Sequence, residues 1–248
     1  MSTPAPAPTN VDNPGHDPVT YGTTNRLLLG LSAGFALSYL LCLPLDPFAG
    51  LVVIKGGGVF LLAVVAWRVT GGTNVRLPGL LLALGLLLSS VGDVFLRLDP
   101  VGMFVHGLGS FLVAHLIYVI LFLRLRQRGA AINGRQRALI ALFIIYGIGL
   151  GSWMMPHLGA HTVPVLVYAA VICLMGITCV LVGFSNRWVL LGALLFMSSD
   201  TALAIDKFVM PLDGIGWYIW PSYYIGQLLI MTGVIARLRL DQKPETAS

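Results

Sequence analysis

Two aspartates close matching apolar runs. The pattern Gly-x7-Asp-x2-Leu-x2-Asp occurs first as Gly85, Asp93, Leu96 and Asp99, and again as Gly192, Asp200, Leu203 and Asp206. In each copy a leucine precedes the glycine, and mostly small or apolar residues fill the stretch up to the first aspartate. A carboxylate held inside a bilayer costs roughly 2.5–3.5 kcal/mol at a helix centre. Two at equivalent positions therefore read as a paired site. In low-dielectric surroundings such a pair divides labour. One carboxyl keeps its proton and serves as general acid, while the other stays ionised and serves as general base. That chemistry suits acid-catalysed cleavage through an oxocarbenium-like state, as in glycosidases. The structural alternative is that Ser89, Ser90, Ser198 and Ser199 simply satisfy the carboxylates. An aspartate late in a helix, however, faces the negative end of the macrodipole and is not a natural cap.

Other polar side chains accompany the pair. Lys55 is followed by Gly56, Gly57 and Gly58, a stretch along which a lipid head group could approach the backbone. The alternative for Lys55 is an ammonium that snorkels to the interface. His115 and Tyr118 stand within an apolar run and are candidates to orient a carboxylate or water; a core histidine and a packing tyrosine are the plainer readings. Ser199, Tyr224 and Gln227 are candidates for substrate contact. Asp93, His106 and His115 could in principle ligate a metal, but no HExxH-type spacing exists and no metal or other cofactor is expected. A Gly-x-Ser-x-Gly elbow is absent, which argues against serine hydrolysis. Cys42, Cys173 and Cys179 lie in apolar runs without metal or disulfide spacing and read as small buried hydrophobes.

The elements that position these groups are membrane helices. The 248 residues are 57% hydrophobic and only 10% charged, against about 25% charged in soluble domains. Eight apolar runs are long enough or nearly so to cross a bilayer: 27–43, 51–69, 77–96, 104–123, 138–155, 163–182, 188–205 and 217–235. The fold expected is an all-α integral membrane protein of eight transmembrane helices over residues 25–237. The flanking stretches 1–24 and 238–248 read as polar tails, the first of them disordered.

Eight crossings put both termini on one side. That side collects twelve of the fifteen Lys and Arg residues; Arg97, Lys207 and Lys55 fall towards the other. The positive-inside rule then makes both termini cytoplasmic, in a cell (plasma or inner) membrane. The net charge of +5 reflects these loop arginines rather than nucleic-acid binding. Trp217, Tyr218 and Trp220 form an aromatic belt at the outer interface. Spans three and seven run the same way and carry the two copies, as a four-plus-four parallel repeat would require. Asp93, Asp200, Lys55, His106, His115, Tyr223, Tyr224 and Gln227 all fall in the outer half of the bilayer. One polar cavity on that side accounts for the clustering. A proton- or ion-coupled transporter using the paired aspartates is the competing class.

At these residues the chain resembles the YhhN family of multi-span membrane proteins, which includes lysoplasmalogenases. The matching pieces are Ser89–Asp93 with Leu96, Phe111 through His115 with Tyr118, Leu195–Asp200 with Ala204, and Tyr223, Tyr224 and Gln227. The resemblance covers about residues 27–236. It departs at Lys55-Gly56, where the family often has Lys-Pro. It implies hydrolysis of the vinyl-ether bond of a lysoplasmalogen or related ether lipid to a fatty aldehyde and a glycerophospho-base. On that reading Asp93 and Asp200 are acid and base in unassigned order, Lys55 binds phosphate, and membrane lipids surround the site.

Overall fold

The computed structural model describes residues 21–45, 49–71, 76–98, 102–127, 129–184 and 186–240. Among the described residues eight helices are long and apolar enough to cross a membrane, and there is no strand. They are α1 (Thr23–Cys42), α2 (Leu51–Thr70), α3 (Arg76–Arg97), α4 (Phe104–Leu125), α5 (Gly134–Met154), α6 (Thr162–Val182), α7 (Trp188–Phe208) and α8 (Gly216–Leu240). Short 3-10 turns follow α1 and α5. All eight expected spans are present, and α8 runs five residues beyond its expected end at 235. The expected tails lie mostly outside the described residues, as does Asp99.

Lateral association in lipid relies on close packing rather than on the hydrophobic effect. The chain supplies that closeness with glycine. A Cβ on Gly192 would lie 2.6 Å from the Gly226 carbonyl, and one on Gly226 would lie 2.8 Å from the Gly192 carbonyl. The backbones of α7 and α8 therefore touch. On α3 the glycines instead receive rings from α4: Gly85 sits against Tyr118 and Gly92 against Phe111. The α2–α3, α3–α4 and α7–α8 pairs are the tightest in the bundle. Helix α8 also meets α1, α2 and α3, while α4 packs on α6 and α5 on α6. This joins the two halves through α8 on one side and α4–α6 on the other. Helices α1 and α5 are the least enclosed; Leu27, Leu41, Ile145 and Ile148 are exposed, where lipid tails would cover them.

The Gly56–Gly58 stretch has a different role from the one expected. Val94 fills the space over Gly56, Phe35 that over Gly57 and Ser32 that over Gly58. Neighbouring helices occupy the room that a head group would need. The glycines let α1 and α3 pack on α2.

Pro221 lies inside α8. Its missing N–H frees a carbonyl in the first turns of the helix. Hydroxyls bond the two carbonyls that follow it. Ser222 Oγ donates to Tyr218 O at 2.6 Å and Ser199 Oγ donates to Ile219 O at 2.9 Å. Ser199, expected to contact substrate, instead clamps α7 to α8.

Candidate active site

The polar side chains meet at the end of the bundle where α3 and α7 finish and α2, α4, α6 and α8 begin. Asp93, near the end of α3, is held from two helices. Lys55 Nζ on α2 lies 3.9 Å from Oδ1, and the Tyr223 hydroxyl on α8 donates to Oδ2 at 2.8 Å. The Lys55 ammonium also lies over the rings of Tyr39 (5.7 Å) and Trp220 (5.9 Å). Trp220 is fixed by an Nε1–H bond to Ala36 O at 2.9 Å. Each Asp93 oxygen thus faces a positive charge or a donor. The carboxylate is sealed, with a side-chain exposure of 2%.

Asp200 on α7 is set differently. The Tyr168 hydroxyl on α6 donates to Oδ2 at 2.5 Å, and His115 Nε2 on α4 lies 3.8 Å from the same oxygen. The histidine's other nitrogen fixes its tautomer. Nδ1 lies 2.7 Å from the Phe111 carbonyl, which can only accept, so Nδ1 carries the hydrogen. Nε2 is then a bare lone pair unless the ring is protonated, and it has no hydrogen-bond partner. A bare lone pair facing a carboxylate is repulsive. At 3.8 Å the contact is longer than a hydrogen bond.

Two apolar clefts reach Asp200. The first, partly open to the outside, has Leu96, Leu108, Phe111 and Phe208 among its walls. The second, likewise partly open, lies among α5, α6 and α7, with Tyr146, Ile172 and Met197 among its walls. They share Val165, Tyr168, Asp200 and Ala204. Asp93 lines neither. Between the carboxylates stand packed rings: Phe111, Phe196 and Tyr223 meet pairwise at 5.0–6.1 Å, and His115 packs on Phe196 at 4.6 Å.

The other expected residues divide between the site and its supports. Tyr118 donates to Gln227 Oε1 at 2.7 Å rather than to a carboxylate. This buried pair lies beside the site and links α4 to α8. Tyr224 turns away. Ser32 Oγ donates to the Gly58 carbonyl at 2.6 Å, so the Tyr224 hydroxyl donates to Ser32 Oγ at 2.8 Å, tying α8 to α1 and α2. The four serines considered as partners for the aspartates bond backbone carbonyls: Gly85 for Ser89, Gly56 for Ser90, Leu195 for Ser198 and Ile219 for Ser199. His106 packs against Phe95 at 5.8 Å. Among the described residues no group of three His, Cys, Asp or Glu side chains comes together as a metal site. Sequence reasoning missed Tyr168 altogether and named Tyr223 among the polar residues of the outer half without giving it a role. Both sit early in even-numbered spans, the same depth signal that picked out His115.

A helical membrane protein with two enclosed carboxylates, one of them opening on apolar clefts, is the class that this architecture defines. The chain matches the YhhN family over residues 51–234 and belongs to it. It is similar to the lysoplasmalogenase of Mycobacterium bovis, 36% identical over 151 residues that cover 60% of this chain and 58% of that protein. It is similar to human lysoplasmalogenase TMEM86A at 35% identity, covering 61% of this chain and 63% of that protein. Mouse lysoplasmalogenase TMEM86B is 30% identical across 87% of this chain and 89% of its own length. The matches to the first two thus span about three fifths of those relatives. No solved structure matches the chain.

Proposed function

We propose that this protein is a membrane hydrolase that cleaves the vinyl-ether bond of lysoplasmalogen-type lipids, releasing a fatty aldehyde and a glycerophospho-base. The observation that carries the reading is the place of Asp200, on the shared wall of both apolar clefts and beside His115. The relatives named lysoplasmalogenase support the same chemistry.

In this mechanism the Asp200 carboxyl protonates the β-carbon of the vinyl ether, and the cation forms on the carbon bound to oxygen. Water adds to that carbon. The carboxylate left on Asp200, with His115 behind it, takes the proton that the water loses. The hemiacetal then collapses to the aldehyde and the free hydroxyl of the glycerol. Net consumption is one water and the acid is regenerated. Tyr168 fixes the rotamer of Asp200. Asp93 stands behind the ring cluster with its oxygens held by Lys55 and Tyr223 and supports the site without transferring a proton. This places proton transfer on Asp200, with Asp93 in a supporting role. The transport alternative has no comparable support from the relatives.

The arginine-bearing ends of the helices face the cytoplasm in this proposal, with the site in the outer half of a cell membrane. The four-plus-four repeat is part of the same reading. Purified full-length protein in detergent should release aldehyde from a lysoplasmalogen, and Asp200→Asn should abolish it. No aldehyde from wild type, or undiminished release from Asp200→Asn, would refute the mechanism.

A further inference from the structure

The chemistry at Asp200 creates a cation inside an apolar cleft. When Asp200 protonates the β-carbon, the π-electron pair of the vinyl group forms the new C–H bond. Positive charge is left on the other vinyl carbon and on the ether oxygen bonded to it. On the wall of the first cleft the polar side chains are those of Asp200 and Tyr168, and the others are aliphatic or phenylalanine. Phe208 lies eight residues beyond Asp200 on α7, about 12 Å along the helix, and its ring meets that of Phe104 at 5.5 Å. Those two rings belong to the far end of the cleft. Phe111, also on its wall, is level with Asp200. Helices α4 and α7 run in opposite directions. Phe196 packs on His115 at 4.6 Å and on Phe111 at 6.1 Å. Phe111 stands one turn before His115 on α4, and Asp200 one turn after Phe196 on α7. One turn from the same contact, taken along each helix, brings both residues to one depth.

The ring is also held in a fixed attitude. A Cβ on Gly92 would lie 2.6 Å from both Cδ2 and Cε2 of Phe111 and 3.1 Å from its Cγ. So small a spread sets the glycine over the face of the ring and not at its rim. One face therefore lies on α3, and the other is turned away from α3. Phe196 and Tyr223 brace the ring at 78° and 83°. We propose that Phe111 is a catalytic residue whose ring stabilises the oxocarbenium-like cation formed on an ether lipid at Asp200. The inference rests on the hydrolase reading above and deepens it. The face of an aromatic ring carries partial negative charge and attracts a cation within about 6 Å of its centre, more strongly where water is excluded. The vinyl ether is neutral when it binds, so this attraction acts on the transition state and not on the ground state. Phe111 makes no covalent bond to the substrate, and the proton and electron pair move as described for Asp200.

The test changes the electrons of the ring at nearly constant shape. Mono-, di- and trifluorinated phenylalanine replace Phe111 in the full chain, which is purified in detergent. Two quantities are read. One is kcat and KM for aldehyde release from a lysoplasmalogen. The other is the binding preference for a single-chain lysophospholipid with a secondary ammonium in place of its ether oxygen, over the saturated ether of the same length. Each fluorine draws charge from the ring face. Turnover should fall stepwise, by about thirtyfold with three fluorines, the scale of a desolvated cation–π contact. KM should stay nearly constant, and the ammonium preference should fall in the same order. Phe111→Leu removes the ring and should match the trifluorinated protein; the fluorinated series carries the test if the leucine variant elutes aggregated. Where aldehyde is released, a kcat indifferent to fluorine overturns the role of Phe111 and leaves the hydrolase reading standing. Where none is released, the hydrolase reading falls and the ammonium preference decides. Its decline with fluorine keeps Phe111 as a cation-binding ring, and a flat response overturns that role too.

Discussion

Asp93 and Asp200 share one local pattern and occupy opposite settings. Asp93 is sealed at 2% side-chain exposure, with a lysine on one oxygen and a tyrosine hydroxyl on the other. Asp200 keeps 13% exposure and stands on the wall of two clefts, with a tyrosine donor and a histidine on a single oxygen. The glycines eight residues earlier differ in the same way. Gly85 accommodates an aromatic ring, whereas Gly192 accommodates a backbone. A repeated motif thus fixes where a carboxylate sits along a helix. Its neighbours on other helices fix what that carboxylate can do. A carboxyl that is paired and enclosed is held in place, and one that borders open apolar space is within reach of a ligand.

The comparison can be broken at its strongest point first. Asp200→Asn removes the transferable proton and should lower aldehyde release at least about 100-fold, the usual scale of general acid catalysis. Its elution profile in detergent should stay that of wild type. Asp93→Asn should also reduce turnover, but with a distinct second effect. It leaves the ammonium of Lys55 without its carboxylate, so thermal stability should fall by more than in Asp200→Asn. Equal melting temperatures for the two variants would erase the distinction between them. Next in size is Tyr168→Phe, expected to lower turnover about tenfold, the effect of freeing a carboxyl rotamer by about 1–1.5 kcal/mol. Restoration of wild-type rates in this variant would mean that the Tyr168 bond does not position Asp200.

The two glycines give a purely structural contrast. Gly192→Ala drives a methyl into the backbone of α8 and should destabilise the fold by about 1–3 kcal/mol. Gly85→Ala meets the edge of the Tyr118 ring, which can rotate or shift, and should cost less. Thermal denaturation of both variants would rank them, and the reverse order would contradict the packing described. The smallest effect is expected for Tyr224→Phe. It deletes one hydrogen bond to Ser32 on α1, about 0.5–1.5 kcal/mol. A large loss of turnover in that variant would bring Tyr224 back into the site.

Much of the architecture was legible before any coordinates. Eight spans follow from run length, because a bilayer sets the length of a crossing helix and few other residues than apolar ones tolerate it. The gathering of Asp93, Asp200, Lys55 and His115 at one depth was legible from the spans, but not which of the last two stands beside which aspartate. Depth does not say which way a side chain points around its helix. That is why Tyr224 and Ser199 were read as substrate contacts, although they bond towards α1 and towards α8. It is also why Tyr168, one tyrosine among eight, carried no mark. The glycine run after Lys55 misled for a related reason. A missing side chain makes room, and a sequence cannot say whether a ligand or another helix takes it.

The chain by itself determined the class of molecule, the number of crossings, the arginine-rich side and the two costly carboxylates, because the price of moving charge into lipid is set by residue type and position along the chain. Only the tertiary structure decided that Asp93 is enclosed and Asp200 open. It also decided that Tyr168 and Tyr223 are their donors and that two clefts converge on one acid. Those outcomes depend on how eight helices rotate and approach one another. That is governed by contacts between residues far apart in sequence, such as Gly192 with Gly226 and Lys55 with Asp93.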